Sequence, residues 1–233
     1  MNIVNSDDQM AFIAESDGAA GRPASGDGYP RKRARTRRQL LTAGMAALAV
    51  HGPDGLTVGE IASRAGVATG TFYNHFPSLA HLVEAITNDL AAGVEIARDL
   101  LDRVEHDPAA RVAIGTRQLL QLTEADPLSA RAFVSLLDTV PAFRTRVRAT
   151  VHGAVEAGIE AGRFVDRSAS ITTDAVLGAA VQWMRSRLTG EAGTEAEHDH
   201  LRMILTIVGL PASATDPVLD NVSKPATATP VRP

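Results

Sequence analysis

Residues 57–76, TVGEIASRAGVATGTFYNHF, hold two short helical patterns on either side of one glycine. Val58, Ile61, Ala62 and Ala65 recur at the three-and-four spacing of a single helix face. Thr57 stands ahead of them as a hydroxyl cap, and Gly66 supplies the residue that can take positive φ at a bend. Two helices crossing directly after such a bend bring their backbones close together. Ala62 must therefore be small, while Val67 and Phe72 fill the angle from the other side. Phe72 and Phe76 repeat at helical spacing with Val67, which makes them core rather than stacking platforms. What remains outward on the second helix is Thr69, Gly70, Thr71, Tyr73, Asn74 and His75, small or hydrogen-bonding groups with no large aliphatic among them. This pattern predicts a helix-turn-helix whose second helix can enter a major groove, about 12 Å wide in B-DNA.

Outward from this stretch the apolar spacing is helical almost throughout, and no alternating strand pattern interrupts it, so the expected fold is all-α. Leu41, Met45, Leu48 and Ala49 form a first apolar stripe that stops at Gly52-Pro53. Ser78 caps a longer element carrying Leu82, Val83, Ile86 and Leu90 and continuing to Val104, a linking helix of about 40 Å. Three more starts place an acid or hydroxyl beside proline, at Asp107, Asp126 and around Thr139, where the missing proline N–H would have had no partner. The third of these helices stops near Gly162, and the last two end at Gly190 and at Gly209 with Pro211. The plan is three short helices, a linking helix and five more. Its expected divisions are a disordered acidic leader over 1–30, a helix-turn-helix unit with a basic arm over 31–78, a helical body over 79–210 and a disordered Pro-, Ala- and Thr-rich tail over 211–233.

The charge is unevenly placed. The chain carries −4 overall, yet Arg31, Lys32, Arg33, Arg35, Arg37, Arg38 and Arg64 face only Asp54 and Glu60 between residues 31 and 78, so that region is +5 and the remainder −9. Screening keeps such a field local, on a scale of about 8 to 10 Å, so the basic region attracts polyanions whatever the whole-chain balance. A run such as RKRARTRR standing alone would equally suit a solvated leader. The chain has no cysteine, which excludes disulfides and cysteine metal sites and fits a reducing cytoplasm. No apolar run reaches the roughly 18 residues of a membrane span, and the N-terminus lacks a signal core.

The stretch from 57 to 86, TVGEIASRAGVATGTFYNHFPSLAHLVEAI, resembles the tetracycline-repressor (TetR) family of bacterial transcriptional regulators. The likeness rests on Ile61-Ala62, Ala65-Gly66-Val67, Gly70-Thr71-Phe72-Tyr73 and His75-Phe76 with Ser78 following, and AGIEAGRF at 157–164 looks like the family too. Leu79 stands where members often carry a lysine used for a phosphate contact, and Ala68-Thr69 where a Ser-Lys-like pair is common. The resemblance implies a homodimer placing residues 69–75 of each subunit in successive major grooves of a pseudo-palindromic operator. Within it Tyr73 and Thr71 look like phosphate or base contacts, Thr57 like a helix-start phosphate contact, and Thr69, Asn74 and His75 like groove-facing groups, with Gly70 allowing close approach. Arg35, Arg37 and Arg38 of the basic run would follow a phosphate rail or enter a minor groove.

The resemblance also implies a dimer interface and an effector pocket in the body. Ala175, Gly178, Ala179 and Gln182 are small or neutral at three-and-four spacing, and Leu201, Ile204, Leu205 and Val208 form a strong stripe, so two helices per subunit could build a four-helix bundle. The same stripes could face the subunit's own core. Candidate lining residues for a moderately apolar small-molecule effector are Gln118, Leu122, Phe133, Leu137, Phe143, Val147, His152 and Trp183, each also readable as ordinary core. No cofactor is implied, and no metal, because His198 and His200 are two apart and fall on different helix faces. His51, His106 and His152 stand alone, without a nucleophile elbow or phosphate loop, so an enzyme is not expected. The alternative left open is a helical small-molecule-binding or protein-interaction protein that has lost DNA binding, which Leu79 favours.

Overall fold

A computed structural model of the chain describes residues 28–223. Within them lie ten α-helices, two short 3-10 turns and no strand. The N-terminal unit comprises α1 (Gly28–His51), a 3-10 turn at Pro53–Gly55, α2 (Val58–Arg64) and α3 (Thr69–Tyr73). Thr57 Oγ1 accepts the Glu60 N–H at 3.2 Å and so caps α2. At its other end Gly66 takes φ +66°, and the N–H groups of Gly66 and Val67 reach back to Ser63 and Ala62 carbonyls. This is the closure a left-handed residue permits after a helix, and it turns the chain sharply into α3.

The long helix α4 (Leu79–Val104) opens on Ser78, whose Oγ accepts the His81 N–H and also bonds His81 Nδ1 at 2.8 Å. Then come α5 (Pro108–Ala125), α6 (Pro127–Thr139) and α7 (Pro141–Glu160), each beginning on proline. Asp107 and Asp126 cap the first two, accepting from Ala109 and Ser129 N–H groups at 3.0 Å each. Asp107 also receives two hydrogen bonds from Arg163, which hold its carboxyl below the usual carboxylate range. The start around Thr139 differs from the acid-capped pair. Val140 occupies the cap position without a side-chain bond, and Thr139 Oγ1 donates to the Ser135 carbonyl, finishing α6 instead.

The chain ends in α8 (Ala169–Thr189), a 3-10 turn at Thr194–Ala196, α9 (Glu197–Ile207) and α10 (Ala212–Ser223). This last helix corrects the expected disordered tail from residue 211. Val218, Leu219 and Val222 recur at three-and-four spacing and are buried against α5 and α9, so the stretch has an apolar face despite its Pro/Ala/Thr composition. Residues 1–27 and 224–233, to which the rest of the leader and tail expectations refer, lie outside the described residues.

A second difference concerns the basic run. It is the first half of α1, continuous over 24 residues with the apolar half, and is not an arm ahead of it. The apolar half of α1 packs against α2, α4 and α6 together. Consequently one core runs unbroken from the helix-turn-helix into the body. Leu40, Leu48, Ile61, Phe72, Leu82 and Ile86 join Phe133, Leu136, Phe143, Val147 and Met184 in a single buried cluster. A second cluster, with Val155, Phe164, Ile204, Leu205 and Leu219, closes the far end of the body.

Two glycines mark close approaches. A Cβ at Gly44 on α1 would meet Leu82 Cδ2 at 2.8 Å on α4, and one at Gly158 on α7 would overlap the Phe164 ring. Phe164 is 5% exposed and its ring is stiff, so Gly158→Ala must displace it from the second core. Overpacking of this kind costs about 1–3 kcal/mol, and a thermal melt should show the midpoint lowered by roughly 3–10 °C. An unchanged midpoint would mean that Phe164 has another place to go.

Candidate nucleic-acid interface

On α3 the expected division of side chains holds. Phe72 is fully buried and Phe76 nearly so, while Thr69, Gly70, Tyr73 and Asn74 are exposed and Thr71 and His75 half-buried. The helix itself is only five residues long, so Asn74 is its C-terminal cap and His75 lies just beyond it. Tyr73 is 55% exposed, and its ring meets Phe72 edge-on with centroids 5.4 Å apart, which fixes its direction while its hydroxyl stays available. Nothing lies within 4 Å of a Cβ placed at Gly70, so the chain's own packing does not require glycine there. Thr57 is exposed, with its hydroxyl oxygen engaged as the α2 cap.

Because the basic run is helical, its members separate by face. The Arg37 guanidinium sits over the Phe76 ring at 5.2 Å. His75 has its pKa lowered by burial first, then by Arg33 and Arg37. The Arg33/Arg37 pair, one turn apart, therefore stands beside the end of α3, whereas Arg35 and Arg38 are exposed on other faces of α1. Arg33 is the functional candidate the sequence reading did not single out; its i,i+4 relation to Arg37 is the signal, legible only if the run is taken as helix. Glu60, the acid on α2, is engaged by Arg64 at 2.9 Å and His51 at 3.3 Å, which mutes its charge near this face. Leu79 begins α4, packs against the first core and lines a neighbouring cleft.

In the body the picture is mixed. Ala175, Gly178 and Gln182 are exposed along α8 with Ala179 half-buried, and Ile171, 73% exposed, extends the same stripe. Leu201, Ile204, Leu205 and Val208 are a correction. They are at most 4% exposed within the chain's own second core, against α5 and α10, and cannot meet another subunit. A periodic stripe on a late helix does not say which body covers it; the large apolar group α9 turns outward is Met203.

Of the eight pocket candidates, Phe133, Leu137, Phe143 and Val147 are buried in the first core. His152 bonds Thr173 through Nδ1 and Glu156 through Nε2, so both nitrogens are engaged. Gln118, Leu122 and Trp183 are half-buried. An open cleft of about 510 Å³ lies elsewhere, bounded by Pro53, Leu79, Val83, Thr87, Val140 and Arg146 at the junction of the N-terminal unit with α4 and α7. Arg146 there bonds Glu95 and Asn88 and ties α7 to α4. Among the described residues no group of three His, Cys, Asp or Glu could hold a metal, and no helix is long and apolar enough to cross a membrane.

A helix-turn-helix with an exposed Thr/Tyr/Asn ridge, flanked by arginines and seated on an all-helical body, defines a helix-turn-helix regulator with an appended helical domain. The family models agree: residues 40–86 match the bacterial regulatory proteins of the tetR family and residues 107–219 the tetracyclin repressor-like C-terminal domain. The chain belongs to this family, whose members are transcription regulators and not enzymes. It is 32% identical over 138 residues to Rv0767c of Mycobacterium tuberculosis H37Rv, an uncharacterized HTH-type transcriptional regulator, covering 57% of this chain and 63% of that protein. The chain thus spans under two thirds of that relative's length. RolR in complex with resorcinol superposes with a TM-score of 0.59 at 25% identity, over 84% of this chain and 97% of that one. A gamma-butyrolactone receptor (ArpA-like protein) gives 0.67 at 16%, over 82% and 96%.

Proposed function

We propose that the protein is a transcriptional repressor that binds a pseudo-palindromic operator as a homodimer and is released by a small-molecule effector. The observation that carries this reading is the α3 ridge: Thr69, Tyr73 and Asn74 stand clear of the chain's own body, with Arg33 and Arg37 beside them. Tyr73 and Thr71 contact phosphates or base edges, Asn74 and His75 face the groove, and Arg33 and Arg37 lie along the backbone. Two copies rigidly joined would address half-sites about 34–36 Å apart. The exposed α8 stripe from Ile171 through Ala175, Gly178 and Gln182, with Met203 of α9, is the surface by which they join. A small hydroxylated aromatic is the first effector to try, on the precedent of RolR and resorcinol. Its binding would act on α4, which shares a core with the helix-turn-helix and is tied to α7 by Arg146, and a coupling of about 1–3 kcal/mol would relax binding roughly 5- to 150-fold.

A mobility-shift selection from random duplexes tests the reading. A palindromic consensus whose affinity falls steeply with salt is expected, because neutralised phosphates release counterions. No retardation even at low salt would favour the alternative, a body-only ligand binder, for which the apolar burial of Leu79 is the supporting observation.

Acidity should act through His75. In the free protein burial and the two arginines hold its pKa below the ordinary 6.5. Phosphates arriving at Arg33 and Arg37 offset those charges, so the bound-state pKa lies higher and binding takes up a proton. Affinity should therefore rise as pH falls from the bound-state toward the free-state pKa, by at most about tenfold per pH unit per half-site, and His75→Gln should flatten the profile. Operator titrations between about pH 8 and pH 5.5 read this directly; affinity lost on acidification would place His75 away from the phosphates.

A further inference from the structure

His200 sits in the first turn of α9, 3% exposed, and neither Nδ1 nor Nε2 has a hydrogen-bond partner. Trp183 of α8 stacks on it, with ring centroids 4.8 Å apart and planes 17° from parallel, and its Nε1 is likewise sealed and unpartnered. Three unbonded polar atoms on one stacked pair is an unusual concentration, since each buried unsatisfied group costs about 1–3 kcal/mol. A purely structural contact at this place would be made by Phe or Leu.

The pair's chemistry specifies what would complete it. A neutral imidazole offers one donor and one acceptor, and the indole one donor. The two imidazole nitrogens face opposite edges of the ring, so one hydroxyl can meet only one of them; it would accept from the indole N–H and donate to that nitrogen's lone pair. Burial alone lowers the His200 pKa, so the ring is neutral near pH 7 and offers no charge to a carboxylate. The arginine Arg187 nearby is already engaged by Glu124. The flat faces of the two rings favour a third flat ring. Trp183 as a whole is only half-buried although its Nε1 is sealed. Gln118 and Leu122, also half-buried, fall on the stretch of α5 that runs from Arg117 to Glu124, both of which influence Glu197 one turn before His200.

We infer that His200 and Trp183 form a binding site for a neutral hydroxylated aromatic molecule, its ring against the stacked pair and its hydroxyl between the indole Nε1 and one imidazole nitrogen. The site lies where α5, α8 and α9 meet, apart from the open cleft at the α4–α7 junction. It rests on the effector-responsive reading above and supplies the chemistry of the effector.

Trp183 is the sole tryptophan of the chain, so its fluorescence reports this site alone. Phenol is titrated into the full-length protein without DNA, with benzene and benzoate as controls. A saturable change with phenol is expected, with both controls at least about tenfold weaker. His200→Phe keeps the stack and removes the hydrogen bonds; it should weaken phenol by at least about tenfold without lowering the melting temperature. No saturable response to phenol, an equal response to benzene, or unchanged phenol affinity in His200→Phe overturns the site. If that variant does not fold, the phenol-to-benzene comparison in the wild-type protein decides by itself. Operator retardation is measured separately, so retardation retained without a phenol response removes this site and leaves the DNA-binding reading standing.

Discussion

Replacing Tyr73 by Phe is expected to lower operator affinity by about 30- to 150-fold while leaving the melting temperature within a degree or two. The affinity estimate follows from symmetry. Losing one hydrogen bond to a charged phosphate removes about 1–1.5 kcal/mol, and a two-fold dimer loses it twice. The stability estimate follows from exposure. Tyr73 is 55% exposed, the ring that packs edge-on against Phe72 is retained, and only the outward hydroxyl goes. Mobility shift and a thermal melt on the same preparation separate the two effects. Equal affinity would take Tyr73 out of the interface, and a large drop in melting temperature would make it a structural residue.

Its buried neighbour should behave in the opposite way. Phe72 is fully buried, touches Phe76 with centroids 5.8 Å apart, and belongs to the cluster that continues into α6, α7 and α8. Phe72→Ala removes a whole aromatic from a packed site, at a cost of about 3–5 kcal/mol and a fall in midpoint of roughly 6–20 °C. The manner of unfolding is the more informative readout. Trp183 packs against the same cluster from α8, far along the chain from α3. With a shared core, the Trp183 fluorescence transition and the helix-content transition should shift together. Had the N-terminal unit its own core, Trp183 would melt at the wild-type temperature while α1 to α3 came apart early. Coincident transitions therefore test the continuity of the core as well as the role of Phe72.

The expected helix-turn-helix unit and larger helical body are both present, and they share one core. From the sequence, Ser78 as a cap and the stripe of Leu82 and Ile86 suggest a helix long enough to join one domain to the other. In space, Gly44 lets α1 approach α4 so closely that an added Cβ would touch Leu82 and Ile86, and α1 also lies on α6. The residues were visible, but the partner of each apolar face was not. The same limit explains the α9 stripe, assigned to a second subunit and found facing α5 and α10, and it explains α10 itself, whose apolar residues are spread through a proline-rich stretch.

The outward face of α3 was legible for a definite reason. On so short a helix, Phe72 and Phe76 inward leaves Thr69, Tyr73 and Asn74 outward, with Thr71 half-buried between the two faces. Which arginines accompany them was not legible. Arg33 and Arg37 become a pair only once the basic run is helical and α1 is fixed beside α3.

Local chemistry thus determined the helices, their caps, the Gly66 bend and the outward ridge, because each depends on residues within a turn or two of one another. Tertiary structure decided the shared core, the side of α1 that faces α3 and the stacking of Trp183 on His200, a pair 17 residues apart on different helices. Such contacts are choices among several apolar faces of similar strength, and only packing all of them at once selects which meet.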